Sequence, residues 1–250
     1  MKNIVITGGG SGVGFAIARD LSINNQVILV GRNEHKLQLA QTSLGNNVKY
    51  VAGDLSINSE RQKVVEFILK NTDRIDVLIH SAGIYPTNSQ DNINNNLLAH
   101  YYLTIALLKV LRGSRVLIVT GNPQAIAMAP ICEQQFNALM RATWAITHKM
   151  LLVQVLVDQL AAQKTTINSF FPGDVKSNLM AYTKSLTNTS VPVGSLLALN
   201  EKFENVTGAF FDEIGNKVPQ NTDKYNKNNA KRVLSLYIRE LGYSSLHKLQ

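Results

Sequence analysis

Thr7-Gly8-Gly9-Gly10-Ser11-Gly12-Val13-Gly14 stands between an apolar run at residues 3–7 and a helix-like stretch at 15–21. Glycines at a strand-to-helix turn permit a tight bend and close backbone approach. The helix N-terminus then offers unpaired N–H groups to an anion such as a pyrophosphate. That placement reads as a dinucleotide cradle, held by Gly8, Ser11, Gly12, Val13 and Gly14. The second apolar run ends Leu29-Val30-Gly31-Arg32-Asn33. An acid there would bond a ribose 2′-hydroxyl and repel a 2′-phosphate. Gly31-Arg32 instead supplies room and a guanidinium suited to phosphate, so NADP(H) is expected in preference to NAD(H), with Arg32 and Asn33 at its 2′-phosphate.

These residues need a frame. Short, nearly continuous apolar runs fall at 3–7, 26–30, 48–52, 77–80, 115–120, 166–170 and 208–211, and most connections between them are long enough for a helix. Such alternation indicates parallel βαβ units buried on both faces. It predicts an α/β fold: a single doubly wound Rossmann-type domain over residues 1–250, with a parallel seven-stranded sheet and helices on both faces. In such sheets ligands bind beyond the carboxyl ends of the strands. The stretch 180–206, which follows a strand end, is therefore a candidate substrate lid.

The order T-G-x-x-x-G-x-G resembles the short-chain dehydrogenase/reductase family, in its retinol-dehydrogenase-like branch, and further landmarks follow in register. Asp54-Leu55 ends the third strand, where the resemblance implies an adenine contact. Ser81-Ala82-Gly83 stands where the family usually has Asn-Ala-Gly. Asn96 looks like the family's helix asparagine and is the candidate catalytic residue. Pro172-Gly173-Asp174-Val175-Lys176-Ser177 matches the Pro-Gly motif, so Pro172, Gly173, Val175 and Ser177 join the cofactor set. The resemblance implies a nicotinamide-dependent oxidoreductase acting on a small carbonyl or alcohol, and a homodimer or homotetramer built on the long helix after Phe136. No metal is implied.

The family's reaction uses a tyrosine with a lysine four residues on, and a serine after the fifth strand. None of the eight tyrosines (50, 85, 101, 102, 182, 225, 237 and 243) has that lysine, and none lies between 102 and 182. The serine position falls most simply at Gly121. Counting from there, with Pro130 as the loop proline, puts Phe136 and Met140 at the tyrosine and lysine positions. Counting back from Asn168 gives Ala142 and Ile146. A third register keeps Lys149, with Ala145 for tyrosine, but turns Gln159 toward the core. Tyr182, His148, or a water held by Asn96 are the candidate substitute proton donors. Two functions follow: an oxidoreductase of weak or unusual catalysis, or a dinucleotide-binding sensor or scaffold without catalysis.

Composition narrows the partners. The chain has 250 residues, 45% apolar and 17% charged, with net charge +8. The residues from 217 to 250 carry seven basic and two acidic side chains, forming a basic C-terminal tail (216–250) whose last helix is expected at 230–241. Its tyrosines are too scattered for a nucleic-acid face. No apolar run is long enough to span a membrane, no leader is visible, and Cys132 is alone, so a cytoplasmic setting is expected.

Overall fold

The apolar runs form seven strands of one parallel sheet. In this computed structural model, which describes residues 1–242, they are β1 (Asn3–Thr7), β2 (Gln26–Gly31), β3 (Val48–Ala52), β4 (Val77–His80), β5 (Arg115–Val119), β6 (Thr166–Phe170) and β7 (Phe210–Phe211). Their order is β3-β2-β1-β4-β5-β6-β7. Strand order reverses at β1, whose Thr7 pairs with Val30 on one side and His80 on the other. That crevice is where ligands bind in such sheets.

Side chains alternate across the pleat, so each strand feeds two cores. Val5, Val30, Leu78, Val116 and Ile118 face one layer; Ile4, Ile6, Leu29, Ile79 and Leu117 face the other. The second layer is covered by α1 (Gly12–Ser22), α2 (Glu34–Leu44) and, further along the chain, by the helix at Pro192–Leu199. The first is covered by α3 (Asn58–Asn71) and a broken helix: α4 (Ser89–Ile93), a π-turn (Asn94–Leu98) and α5 (Ala99–Ala106). After α6 (Pro123–Met128), the long α7 (Ala138–Ala161) completes that layer. Among the described residues no helix is long and apolar enough to cross a membrane.

The stretch 180–206 divides. Met180, Tyr182 and Thr183 border the crevice. The helix Pro192–Leu199, here α8, buries Val193, Leu197 and Ala198 in the core, and its Gly194 lies so close to Ile17 that a Cβ would meet Ile17 Cγ1 at 2.7 Å. Any lid is thus confined to the part before residue 190.

The expected final helix at 230–241 is two: α9 (Lys227–Leu234) and α10 (Arg239–Gly242). Between them the chain turns so that Ile238 enters the core and the Tyr237 ring packs edge-on against Trp144, with centroids 5.3 Å apart. Tyr243 and the rest of the basic tail lie outside the described residues.

On α7, Leu152, Val153, Leu156 and Leu160 are buried within the chain, while Leu139, in its first turn, is largely exposed.

Candidate functional site

A cavity of about 710 Å³ opens along the carboxyl ends of the strands. Its floor is the glycine loop. Gly8 has φ +70°, and a Cβ there would lie 2.9 Å from the Ala82 nitrogen and the Ser81 oxygen; only glycine fits. Gly14 lets α1 press on the loop, since a Cβ would stand 2.4 Å from the Gly8 carbonyl oxygen. Thr7 Oγ1 accepts from the backbone nitrogens of Ser81 (3.2 Å) and Ala82 (3.0 Å), which fastens the ends of β1 and β4 together. Ser11 precedes α1 in extended conformation without a side-chain cap, so the first N–H groups of the helix are left for an anion. A cradle that any Cβ would fill, at an uncapped helix N-terminus, fits a dinucleotide pyrophosphate.

One end of the cavity is basic. Gly31, Arg32, Asn33, Lys36 and Asp54 line it. Asn33 Oδ1 caps α2 by accepting from the Lys36 nitrogen at 2.9 Å, so this oxygen is already committed. Arg32 Nη1 stands 3.9 Å from Asp54 Oδ2, a loose exposed pair worth about 0–1 kcal/mol that leaves the guanidinium easy to redirect. Asp54 Oδ1 accepts from Ser56 nitrogen and Oγ, which holds its side chain in the loop after β3. Lys36 escaped the sequence reading; its signal was a second cation four residues after Arg32, in the first turn of α2.

At the other end the opposite wall comes from Pro172, Gly173, Val175 and Ser177, beyond β6. Ser177 Oγ donates to Thr183 Oγ1 at 3.0 Å, which in turn donates to the Ser177 carbonyl oxygen, folding the loop back over the crevice. Leu55, Ser81, Ala82 and Gly83 complete the lining.

Asn96 sits in the π-turn between α4 and α5. The extra residue of such a turn swings one side chain inward and is frequent at functional sites. Its Nδ2 donates to the Ile84 carbonyl oxygen (3.0 Å) and to Asn92 Oδ1 (2.8 Å), while its Oδ1 accepts from the Ile84 nitrogen (3.1 Å). The amide is therefore a brace for the cavity wall. Asn92, fully buried, passes the brace on to Gln135 Oε1 (2.7 Å) and the Arg141 carbonyl oxygen (2.8 Å).

Ala142, Ala145, Ile146 and Lys149 of α7 all line the cavity, so two of the three registers, Ala142 with Ile146 and Ala145 with Lys149, place their residues there. Phe136 is 76% exposed in the segment before the helix, and Met140 belongs to its first turn, its nitrogen capped by Asn137; neither borders the cavity. α6 and the irregular segment 129–137 precede the helix, which starts at Ala138, beyond Phe136. Gln159 turns inward: its Nε2 donates to Tyr101 Oη at 3.2 Å, while its buried Oε1 has no partner among the described residues.

Gly121 lies across from this turn of α7, where a Cβ would meet Ile146 Cγ2 at 2.6 Å. Ile146 thus fills the space a serine would use. Lys149 Nζ donates to the Val119 carbonyl oxygen at 3.2 Å, and burial pushes its pKa down to about 8. Behind it, the buried His80 and His100 rings stack at 5.0 Å, and His80 Nε2 pairs with Thr104 Oγ1 at 2.8 Å. Burial, and then the Lys149 charge, lower His80 to about 3 and hold His100 well below the usual range. Both stay neutral at ordinary pH.

Of the substitute donors, His148 is outside the cavity: it stacks on Trp144 at 3.8 Å, with Nδ1 against the Trp144 carbonyl oxygen. Tyr182 borders the mouth, 55% exposed, its pKa raised by burial and then by Asp174. Tyr85, Asn95, Asn122 and Asn178 also reach the lining, where nothing in their spacing marked them.

A family model described as short chain dehydrogenase matches residues 2–187. An uncharacterized oxidoreductase of Staphylococcus epidermidis is 35% identical over 187 residues, covering 70% of this chain and 78% of that protein. Retinol dehydrogenase 13 of Mus musculus is 23% identical over 287 residues, covering 98% of this chain and 85% of that one. Among solved structures, a short chain dehydrogenase of Shigella flexneri complexed with NADP superposes with a TM-score of 0.70 at 23% identity, covering 85% of this chain and 97% of that one.

Proposed function

The chain belongs to the short-chain dehydrogenase family of oxidoreductases, and we propose that it binds NADP(H) along this cavity and reduces a small carbonyl compound slowly, with Lys149 holding the proton in place of a tyrosine. The observation that supports this reading is the approach of both Lys149 Nζ and Asn96 Oδ1 to Gly83, with Ala145 one turn before Lys149 and Gly121 facing Ile146, neither bringing a donor of its own.

The glycine loop and the N-terminus of α1 would hold the pyrophosphate, Arg32 and Lys36 the 2′-phosphate, and the Ser81–Gly83 and Pro172–Ser177 segments the nicotinamide end. When bound, NADPH supplies a hydride. The rest falls to the chain. Lys149, with a pKa of about 8, is mostly an ammonium at neutral pH and can release its proton without a large penalty. The Val119 carbonyl keeps Nζ in the cavity, and the Asn96 brace keeps the Ile84 wall in place. Loss of the tyrosine costs roughly 10²–10⁴ in rate and loss of an oxyanion donor roughly 10²–10³, so turnover is slow. NADPH binding followed by fluorescence, and its oxidation with a panel of small aldehydes and ketones, test the reading.

The fit of Ile146 against Gly121 favours a second reading. A site refilled with an apolar side chain suits a dinucleotide-responsive sensor. Tight NADPH binding with no oxidation by any carbonyl selects it.

A further inference from the structure

We infer that, without any bound dinucleotide, the Lys149 amine is a nucleophile that captures small aliphatic aldehydes as an imine in the space beside Ala145. The inference goes beyond the reductase reading and does not depend on it.

Four observations place a reactive amine there. Lys149 lines the cavity and is only partly buried. Its hydrogen-bond partner among the described residues is a neutral carbonyl oxygen, that of Val119. The groups facing it carry no negative charge: His80 from β4 and His100 from α5 are neutral imidazoles, and Asn96 from the π-turn is an amide. Asp174 borders the mouth and Asp54 the far, dinucleotide end. One turn before Lys149 the helix presents Ala145, and roughly one turn before that Ala142, beside Ile146; this part of the cavity wall is apolar, with two alanines, and fits a short alkyl chain. A lysine desolvated in an apolar pocket without a carboxylate is the arrangement that makes an amine nucleophilic toward carbonyls.

The step balances without a redox partner. The neutral amine adds to the aldehyde carbon as the C=O π bond opens. A proton moves from nitrogen to oxygen, giving a carbinolamine. Loss of water, with the second nitrogen proton, leaves the C=N bond. Amine plus aldehyde give imine plus water.

The test uses the full chain, butanal and sodium cyanoborohydride, which reduces the imine to a stable butyl amine, with peptide mass mapping at pH 7–10. At pH 8 about half of Lys149 is neutral, against roughly 0.3% of an exposed lysine. Lys149 is therefore expected to be butylated at least about tenfold faster than exposed lysines, with its rate levelling near pH 8 while theirs keep rising. Ala145→Tyr, which fills the adjoining space, should slow Lys149 at least about tenfold and leave exposed lysines unchanged. Modification of Lys149 no faster than of exposed lysines in the unaltered chain overturns the inference. Preincubation with NADPH separates the two readings. Protection of Lys149 is consistent with both. Fast labelling that NADPH does not slow sustains the imine site and contradicts the cofactor placement. NADPH binding without preferred labelling overturns the imine site alone.

Discussion

Lys149 Nζ and Asn96 Oδ1 converge on Gly83: a Cβ built on that glycine would lie 3.6 Å from the one and 3.0 Å from the other. Two polar side chains from separate helices, α7 and the π-turn, thus meet at the strand end after β4. Ala145, one turn ahead of Lys149, brings no phenol to share that corner. Under the proposed function, this corner has a lysine and an asparagine but neither the phenol nor the serine hydroxyl that the family's reaction uses.

Restoring those groups should raise activity. Ala145→Tyr places a phenol one turn before Lys149, and a gain of at least about tenfold in kcat/KM for aldehyde reduction is expected. Gly121→Ser alone should destabilise the fold by about 1–3 kcal/mol, because its side chain would overlap Ile146. Adding Ile146→Ala should recover most of that loss and let the serine contribute. Thermal melts and initial rates of the three variants decide it; a Gly121→Ser melting temperature equal to that of the parent would show that Ile146 does not occupy the serine's place.

Arg32 and Lys36 should govern the choice of dinucleotide. Each charge-assisted bond to phosphate is worth roughly 1.5–3 kcal/mol, so Arg32→Ala should weaken NADPH binding about 10–100-fold and leave NADH nearly unchanged. Lys36→Ala should have a smaller effect of the same sign. The loss should shrink at high salt. Equal losses for the two dinucleotides in fluorescence titrations would remove the 2′-phosphate role.

Buried histidines should make the fold sensitive to acid. In the folded chain His80 and His148 are held near 3 by burial, and His100 well below the usual value, while in the unfolded chain each titrates near 6.5. Between those values the unfolded state binds more protons, so stability rises with pH and is lost as pH falls below 6.5. Each histidine contributes up to about 1.4 kcal/mol per pH unit in that window. Urea unfolding at pH 7, 6 and 5 should show the decline, and His148→Phe should make it shallower. A flat profile over that range would contradict burial of the neutral rings.

The brace behind Asn96 should matter at a distance. Asn92→Leu leaves Gln135 Oε1 without its donor and takes from Asn96 Nδ2 one of its two acceptors. Each orphan costs about 1–3 kcal/mol. A drop in melting temperature together with weaker NADPH binding is expected, with Asn92→Asp recovering the Asn96 contact alone. Unchanged binding in a stably folded Asn92→Leu would confine the network to the core.

Much of this was readable before the structure. Buried parallel strands announce themselves as short apolar runs such as Ile4-Val5-Ile6 and Val116-Leu117-Ile118, and six of the seven strand starts agree with the observed ones. The glycine loop was legible because its residues are dictated by local clashes at Gly8 and Gly14. The start of α7 was not. Periodicity reports which face of a helix is apolar, while the length of the irregular segment 129–137 leaves no periodic trace. Gln159 looked misplaced in the core because its partner, Tyr101, belongs to another helix. The break after Leu234 likewise depends on where Tyr237 meets Trp144.

The central claim is that Lys149 holds the proton for carbonyl reduction. The direct measurement is single-turnover oxidation of bound NADPH by a small aldehyde, followed from pH 6 to 10 in the parent chain and in Lys149→Met, with NADPH binding recorded for both. The account expects slow oxidation that falls as pH rises through about 8, and at least about a hundredfold slower oxidation in Lys149→Met at saturating NADPH. An equal rate in the two proteins, or bound NADPH that no aldehyde oxidises, would contradict it.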